Sequence, residues 1–238
     1  MEGNLGVVFK QRKKDEAKAP VFLTCLLTII LIITYSYTLK MYEPTKNLVL
    51  TGGILVYPIS FLANIFISKN YGLKAARKSV FTASLMFVMF IVLIMFCAIF
   101  TANKATQGHD AMLQYVFVND VTYIGKTALY YPTLGQFFGV LISFLASHIL
   151  FATIYNALKK VNVNEYLNVG LSVFIAYVVD RIIFIPLLYS EGLIKGANTF
   201  GYLIKCLTSE FIAAMLASVL IIIAFAIIVN LSKKYKKN

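Results

Sequence analysis

The stretch Leu167-Asn-Val-Gly-Leu-Ser-Val-Phe-Ile-Ala-Tyr-Val-Val-Asp-Arg-Ile-Ile-Phe-Ile-Pro-Leu-Leu-Tyr189 decides the fold class of this chain. It is longer than the roughly 20 apolar residues that a helix needs to cross a bilayer. The adjacent pair Asp180 and Arg181 interrupts it. A charge at bilayer depth costs at least about 2.5–3.5 kcal/mol, so such a residue faces a bundle interior or a water-filled cavity and is functional by default.

The rest of the chain is also too apolar for a soluble domain. Of its 238 residues 60% are hydrophobic, and the mean hydropathy is +0.80, whereas soluble domains are about 45–50% apolar. The apolar residues run continuously and do not alternate with polar ones, which argues against a β-barrel. We therefore predict an all-α polytopic membrane protein with six transmembrane helices, at residues 20–39, 47–68, 79–101, 134–157, 167–189 and 208–231.

The net charge of +12 is distributed unevenly among the predicted connections. Most of the 22 basic residues fall before the first span, after the second and fourth, and after the last. By the positive-inside rule both termini are cytoplasmic. The predicted organisation is a basic cytoplasmic segment at 1–19, a transmembrane domain at 20–231 and a basic cytoplasmic tail at 232–238, with the long connection 102–133 outside. The predicted location is the cell membrane.

Four residues of the fifth span form one stripe on its surface. Tyr177, Asp180, Arg181 and Phe184 follow the spacing i, i+3, i+4 and i+7, which puts them on one side of a helix. Neighbouring side chains on a helix diverge by about 100°, so we expect Asp180 and Arg181 to be poor partners for each other. Each should find a partner on another helix. The candidates are His148 in the fourth span, Glu210 in the sixth, and Ser60 and Asn64 in the second.

Three further features each allow two interpretations. Gly52, Gly53 and Pro58 in the second span indicate either a kink with close helix packing or a broken helix whose freed backbone groups line a substrate cavity. His148 is either a proton-coupling residue, since histidine titrates near neutral pH, or a hydrogen-bonded packing residue. Glu210 either faces the cavity or extends to the outer interface.

The chain carries no motif of an enzyme or of a metal site. His-Glu-x-x-His, Gly-x-Ser-x-Gly and Walker sequences are absent. Its two histidines lie far apart in different settings. We therefore predict no catalysis, no cofactor and no metal. Basic residues interleaved with aromatic ones are also lacking, so the predicted partner of the basic ends is the anionic bilayer surface and not nucleic acid.

Four segments resemble the queuosine precursor transporter family, also called the vitamin uptake transporter family. The fifth-span segment with Asp180 is similar to its Gln-x-x-Asp-x-x-x-Phe pattern, although Tyr177 stands at the glutamine. His148 and Phe151 stand where the family often has Gln and Asp, and Ile65 and Lys69 stand where it usually has Asp and Glu. The segments are Tyr57-Pro-Ile-Ser-Phe-Leu62 continuing to Tyr71-Gly-Leu-Lys-Ala-Ala-Arg-Lys78, Ala146-Ser-His148 with Lys159-Lys160, Tyr177-Val-Val-Asp-Arg-Ile-Ile-Phe184, and Gly201-Tyr-Leu-Ile-Lys205.

The resemblance implies a six-span importer of a deazapurine precursor of modified tRNA, located in the bacterial cytoplasmic membrane. Its substrate would be a small flat heterocycle, a 7-deazaguanine or a related nucleobase or vitamin. The alternative is the substrate-binding S component of an energy-coupling-factor vitamin transporter, which would need energy-coupling subunits; a homo-oligomer is also left open. In either case the expected substrate-binding residues are Tyr57, Ser60, Phe61, Asn64, His148, Tyr177, Asp180, Arg181, Phe184 and Glu210.

Overall fold

The computed structural model describes residues 2–38, 41–45, 48–100, 134–194 and 200–235. The predicted outer connection at 102–133 lies outside these residues. The elements are helix α1 (Glu2–Tyr37), strands β1 (Met41–Thr45) and β2 (Leu48–Thr51), a short 3₁₀ helix (Gly52–Leu55), and helices α2 (Tyr57–Phe100), α3 (Leu134–Lys160), α4 (Glu165–Ile194) and α5 (Phe200–Tyr235).

Five of the helical segments in the described part of the chain are long and apolar enough to cross a membrane. They are Pro20–Tyr37, Gly52–Leu93, Gly135–Lys160, Glu165–Tyr189 and Phe200–Lys233. Four correspond to predicted spans. The fifth, Gly52–Leu93, contains both the predicted second span and most of the third. The chain is therefore a multi-pass α-helical protein, and six crossings remain a prediction.

Gly72 divides the long helix α2. Its φ of 79° and ψ of −179° are non-helical and lie in a region that essentially only glycine adopts. A straight helix of these 44 residues would measure about 66 Å at 1.5 Å per residue, roughly twice the hydrocarbon thickness of a bilayer. The interruption at Gly72 thus lies where the prediction puts the turn between two spans.

The predicted second span was wrong at its start. We expected a helix from residue 47, but Leu48–Thr51 is a strand paired antiparallel with β1, and α2 begins only at Tyr57. Glycine is a poor helix former, and Gly53 is needed for close packing, because a Cβ there would lie 3.0 Å from Cγ2 of Thr34 on α1. Pro58 is the second residue of the helix, where proline is tolerated.

The last helix begins earlier than predicted. Phe200 is its first residue, whereas the prediction starts the span at residue 208. Glu210 consequently lies almost three turns inside α5 and is fully buried. The interpretation that Glu210 extends to the interface is therefore wrong.

The helices pack in chain order, with α3 along α4, α1 along α2, and α5 against α4 and against β2. Their outward faces are apolar, as expected when the solvent is lipid. Phe22, Leu85, Leu216 and Leu220 are each more than 60% exposed. The polar side chains of Asn64, His148, Asp180 and Glu210 are instead fully buried between the helices.

Candidate functional site

Asp180 lies at the centre of the buried polar residues, and three groups donate hydrogen bonds to its carboxylate. The hydroxyl of Tyr57 on α2 lies 2.5 Å from Oδ1. The hydroxyl of Ser147 on α3 lies 3.2 Å from the same oxygen and 2.9 Å from the Tyr57 hydroxyl. Nε of Arg181 donates to Oδ2 at 2.8 Å. A buried carboxylate is thereby paired and hydrogen-bonded, as burial of a charge requires.

The expectation that Asp180 and Arg181 are poor partners was wrong. Nη2 of Arg181 also donates to Oδ2 of Asp180. The Cβ atoms of the two residues do diverge, but the arginine side chain is long enough to fold back and present its planar guanidinium to the neighbouring carboxylate. Of the four predicted partners on other helices Glu210 is confirmed, because Nη1 of Arg181 lies 3.5 Å from its Oε2 on α5. His148, Ser60 and Asn64 were wrong as partners, since within the described residues His148 bonds to Ser60 and Asn64 instead.

Aromatic rings surround the guanidinium of Arg181. Its Cζ lies 5.1 Å from the ring centre of Tyr57, 5.0 Å from that of Tyr177 and 4.7 Å from that of Phe184. A cation within about 6 Å of a ring is attracted by its quadrupole, and more strongly when desolvated. Two residues of the predicted stripe, Tyr177 and Phe184, thus lie against Arg181 of the same stripe.

Glu210 joins this centre to the backbone before α2. Its Oε1 accepts hydrogen bonds from the backbone N–H of Thr51 at 2.7 Å and from the Thr51 hydroxyl at 2.8 Å. The neighbouring Ser209 accepts from the N–H of Val49 at 3.0 Å. The segment is non-helical, as the broken-helix interpretation requires, but side chains of α5 bond its N–H groups at Val49 and Thr51. The close packing of the other interpretation is present at Gly53, and freed backbone groups that line a substrate cavity remain a prediction.

His148 is held by polar contacts and by stacked rings. Its Nε2 lies 3.0 Å from Oγ of Ser60, whose hydroxyl donates to the carbonyl of Tyr57 at 2.6 Å. Nδ1 lies 3.0 Å from Nδ2 of Asn64. Because Ser60 uses its only proton elsewhere and Asn64 is a donor, the contacts describe a neutral imidazole protonated on Nε2. Its ring stacks on Phe61, with centroids 4.5 Å apart and planes at 10°.

The structure brings all ten predicted site residues into one connected group. Tyr57 links the two halves, since its ring contacts Tyr177 at 5.6 Å and Phe61 at 5.6 Å while its hydroxyl reaches Asp180. Sequence reasoning missed Ser147 and Thr51 as members. Ser147 precedes His148 and is itself a polar residue inside a span, which is a usable signal. Thr51 has no such signal in the sequence, because its role depends on the strand that precedes α2.

A cavity adjoins this group on the side of α1 and β2. Its volume is about 10 Å³, which is room for about one water molecule and far below the roughly 300–1,000 Å³ of typical small-molecule sites. Arg181 is its charged member, and most of the remaining wall consists of hydroxyl-bearing and aromatic residues. The lining residues are Thr34, Thr38, Thr51, Gly53, Tyr57, Val140, Ser143, Arg181 and Phe184.

This fold and its buried centre define a multi-pass α-helical membrane protein with a charged, aromatic-lined site between its helices. Residues 51–232 match the family model described as "Putative vitamin uptake transporter". The match covers most of the chain, and the chain belongs to the vitamin uptake transporter family, as the resemblance in its sequence indicates. The family implies a small-molecule substrate and a membrane setting. No curated protein and no solved structure matches this chain.

Proposed function

We propose that this chain imports a small flat polar heterocycle across the bacterial cytoplasmic membrane, and that the heterocycle is a queuosine precursor of the 7-deazaguanine type. The observation that carries the proposal is the carboxylate of Asp180. It is fully buried, it lies among aromatic rings, and hydroxyl groups from two other helices converge on one of its oxygens.

The donors that now occupy Asp180 indicate what a ligand would replace. Oδ1 accepts from the hydroxyls of Tyr57 and Ser147. Both are hydrogen bonds from side-chain hydroxyls. An amino group and a ring N–H of a heterocycle can therefore replace these hydroxyls as donors to Oδ1. Oδ2 would keep its bonds to Arg181, and the carboxylate would remain charged and paired throughout.

The aromatic residues would form the walls of the ring site. Tyr57 contacts Tyr177 and Phe61 directly, so a heterocycle can enter between these rings only when they separate. Tyr57 and Phe61 belong to α2, whereas Tyr177 belongs to α4. Substrate entry therefore requires relative movement of these helices, as alternating access does.

Uptake of labelled 7-deazaguanine by cells expressing the protein tests the proposal. Asp180→Asn keeps the size of the side chain but removes its charge. We expect uptake to fall at least tenfold, equivalent to about 1.4 kcal/mol. The matched control is Glu165→Gln on the same helix. Glu165 pairs with Lys69 at 2.6 Å and is partly exposed, and exposed ion pairs contribute little; uptake should stay near the wild-type rate.

Unchanged uptake by a correctly inserted Asp180→Asn protein would contradict the role of the carboxylate. Binding to purified protein separates the substrate classes. A ligand at a hundred times its Kd stabilises a protein by about 2.7 kcal/mol, so a thermal-shift screen should respond to deazapurines. Stabilisation by a vitamin and by no deazapurine would reject the proposed substrate. Uptake that depends on co-purified coupling and ATPase subunits would favour the energy-coupling-factor alternative.

A further inference from the structure

The buried centre holds two acidic side chains and a single guanidinium. Asp180, Arg181 and Glu210 are all buried, and within the described residues the ion pairs of this centre join Arg181 to each of the two acids. One guanidinium cannot neutralise two carboxylates, so the centre would carry one net negative charge if both acids were ionised. A buried charge without compensation is very costly, and a carboxyl group in that position takes up a proton instead.

The hydrogen bonds of Asp180 are those of a charged carboxylate. Two nitrogens of Arg181 donate to Oδ2, and the hydroxyls of Tyr57 and Ser147 donate to Oδ1. The bond from Nε of Arg181 measures 2.8 Å, within the range of about 2.7–2.9 Å that is typical of a charge-assisted hydrogen bond. Asp180 is therefore the ionised partner of Arg181.

The hydrogen bonds of Glu210 fit a neutral carboxylic acid. Its Oε1 accepts from the N–H and the hydroxyl of Thr51 at 2.7 and 2.8 Å, as the carbonyl oxygen of an acid does. Its Oε2 has no hydrogen-bond partner among the described residues. The distance of 3.5 Å from Oε2 to Nη1 of Arg181 is longer than a charge-assisted bond of about 2.7–2.9 Å. Oε2 is therefore the atom that a proton would occupy.

A proton fits the closed centre where a larger cation does not. The cavity beside Arg181 has a volume of about 10 Å³, room for about one water molecule. Among the described residues Arg181 lines this cavity and Glu210 does not, so a metal ion in it would face the guanidinium and not the unpartnered oxygen. A proton binds to Oε2 itself and needs no cavity.

The other titratable groups around Glu210 and Arg181 do not compete for this proton. Phenol and thiol side chains are ordinarily neutral at pH 7 already, and a guanidinium is always charged. The strand β2 contributes Thr51, which does not titrate. The groups are Asp180, Arg181 and Tyr177 on α4, Tyr57 on α2, and Cys206 on α5.

We propose that Glu210 is the proton-binding residue of the transport cycle, and that Oε2 carries the proton while the helices are closed. The centre is then neutral, because Asp180 and Arg181 compensate each other. When the helices open to one side, water reaches Glu210 and the carboxyl group can release its proton to that water. Closure requires a proton to be taken up again, so external protons favour uptake. The proton on Oε2 follows from the contacts alone, whereas its coupling to uptake rests on the proposed function.

Infrared spectroscopy of the purified full-length protein in lipid tests the proton directly. The C=O stretch of a buried carboxylic acid is separate from the bands of carboxylates, and the wild type should show it at pH 7. Labelling glutamate alone with carbon-13 at its side-chain carboxyl group should shift this band, and Glu210→Gln should remove it. Glu165→Gln is the matched control, because Glu165 is partly exposed and pairs with Lys69; the band should remain.

Uptake of labelled 7-deazaguanine by cells tests the coupling. Initial rates of the wild type should rise at least about threefold as the external pH is lowered from 8 to 5.5, since one bound proton changes a population by up to about tenfold per pH unit. The side chain in Glu210→Gln is neutral at every pH and has no proton to release. Its rate should therefore be equal at both pH values, whatever its size, while Glu165→Gln should follow the wild type.

The two measurements fail in different ways. A wild type without the acid band, a band that the label does not shift, or a band that remains in Glu210→Gln would overturn the proton on Oε2. The predicted band without any uptake of 7-deazaguanine would reject the proposed function and support the proton. A wild-type rate that is independent of pH, or a pH dependence that Glu210→Gln retains, would overturn the coupling. Should Glu210→Gln not fold, the labelled wild type still decides between Asp180 and Glu210.

Discussion

At the scale of single residues, Arg181 is the most constrained side chain of the site. It lies between the carboxylates of Asp180 and Glu210 and within reach of three aromatic rings. Removing one partner of a buried ion pair costs about 3–5 kcal/mol, because the other charge is left uncompensated. Arg181 would therefore stay paired with both acids while a ligand replaces Tyr57 and Ser147 on Oδ1 of Asp180.

The hydrogen bonds of His148 favour the packing interpretation over proton coupling. Both ring nitrogens are used by neutral partners, Ser60 and Asn64, and the ring lies between Phe61 and Phe144. Coupling through His148 would require a change in its charge during the transport cycle, and no acidic side chain contacts it among the described residues. That His148 does not make uptake depend on pH is a prediction.

We expect His148→Gln to keep the pH dependence of wild-type uptake. Glutamine can donate and accept hydrogen bonds like the neutral imidazole, but it cannot titrate. It loses the contacts with the two phenylalanine rings, so the thermal unfolding midpoint should fall, with a stability loss of about 1 kcal/mol for the lost ring contacts. Initial uptake rates measured from pH 5.5 to 8 check the prediction. A flat pH profile in the variant beside a sloping one in the wild type would establish coupling.

At the scale of elements, the segment before α2 is the least regular part of the site. Strand β2 and the 3₁₀ helix occupy the eight residues 48–55, where a continuous helix would have satisfied its own backbone. In a bilayer such non-helical backbone is tolerated only when it is buried in protein or lines a water-filled cavity. Here α5 supplies the acceptors, Ser209 for Val49 and Glu210 for Thr51.

Glu210→Ala should destabilise the protein more than any hydroxyl deletion on the same helix surface. It leaves the N–H and the hydroxyl of Thr51 without their acceptor, at about 1–3 kcal/mol for each buried unsatisfied group. Glu210→Gln keeps an acceptor oxygen and should lose less. Thermal unfolding in detergent measures the difference, with Thr208→Ala as control, since among the described residues the hydroxyl of Thr208 bonds within its own helix. Equal midpoints for Glu210→Ala and Thr208→Ala would mean that α5 does not hold this segment.

At the scale of the whole molecule, the path of α2 decides the topology. If the chain turns back at Gly72, the protein has six crossings and both termini share a side. If α2 crosses once, there are five crossings and the termini lie on opposite sides. The basic residues around Gly72 favour the first arrangement, because positive charge concentrates in cytoplasmic connections. They include Lys69, Lys74, Arg77 and Lys78.

We expect reporters fused before Met1 and after Asn238 both to be active in the cytoplasm. A reporter inserted near Gly108, in the predicted outer connection, should be active only outside. The measurement is a paired alkaline phosphatase and green fluorescent protein assay at each position. Activity of the two terminal reporters on opposite sides would rule out six crossings.

Much of the fold was predictable from the sequence, and the ten candidate residues that it predicts lie together in the structure; that they bind a substrate stays a prediction. Hydrophobic runs identify transmembrane helices because a bilayer leaves the backbone few other ways to satisfy its hydrogen bonds. Charges such as Asp180 and Glu210 identify the site because burying them in lipid without a partner is too costly. Both signals are local in the sequence, so they can be recognised without knowing how the helices pack.

Tertiary structure alone decided the pairing within the site. The sequence could not show that Arg181 folds back onto Asp180, that Thr51 bonds to Glu210, or that Thr34 and Thr38 line the cavity with Arg181. Each of these depends on where helices far apart in the chain meet, and on which rotamer a long side chain adopts once its neighbours are in place. The break before α2 was uncertain for the same reason: its backbone groups are satisfied by α5, more than 150 residues further along the chain.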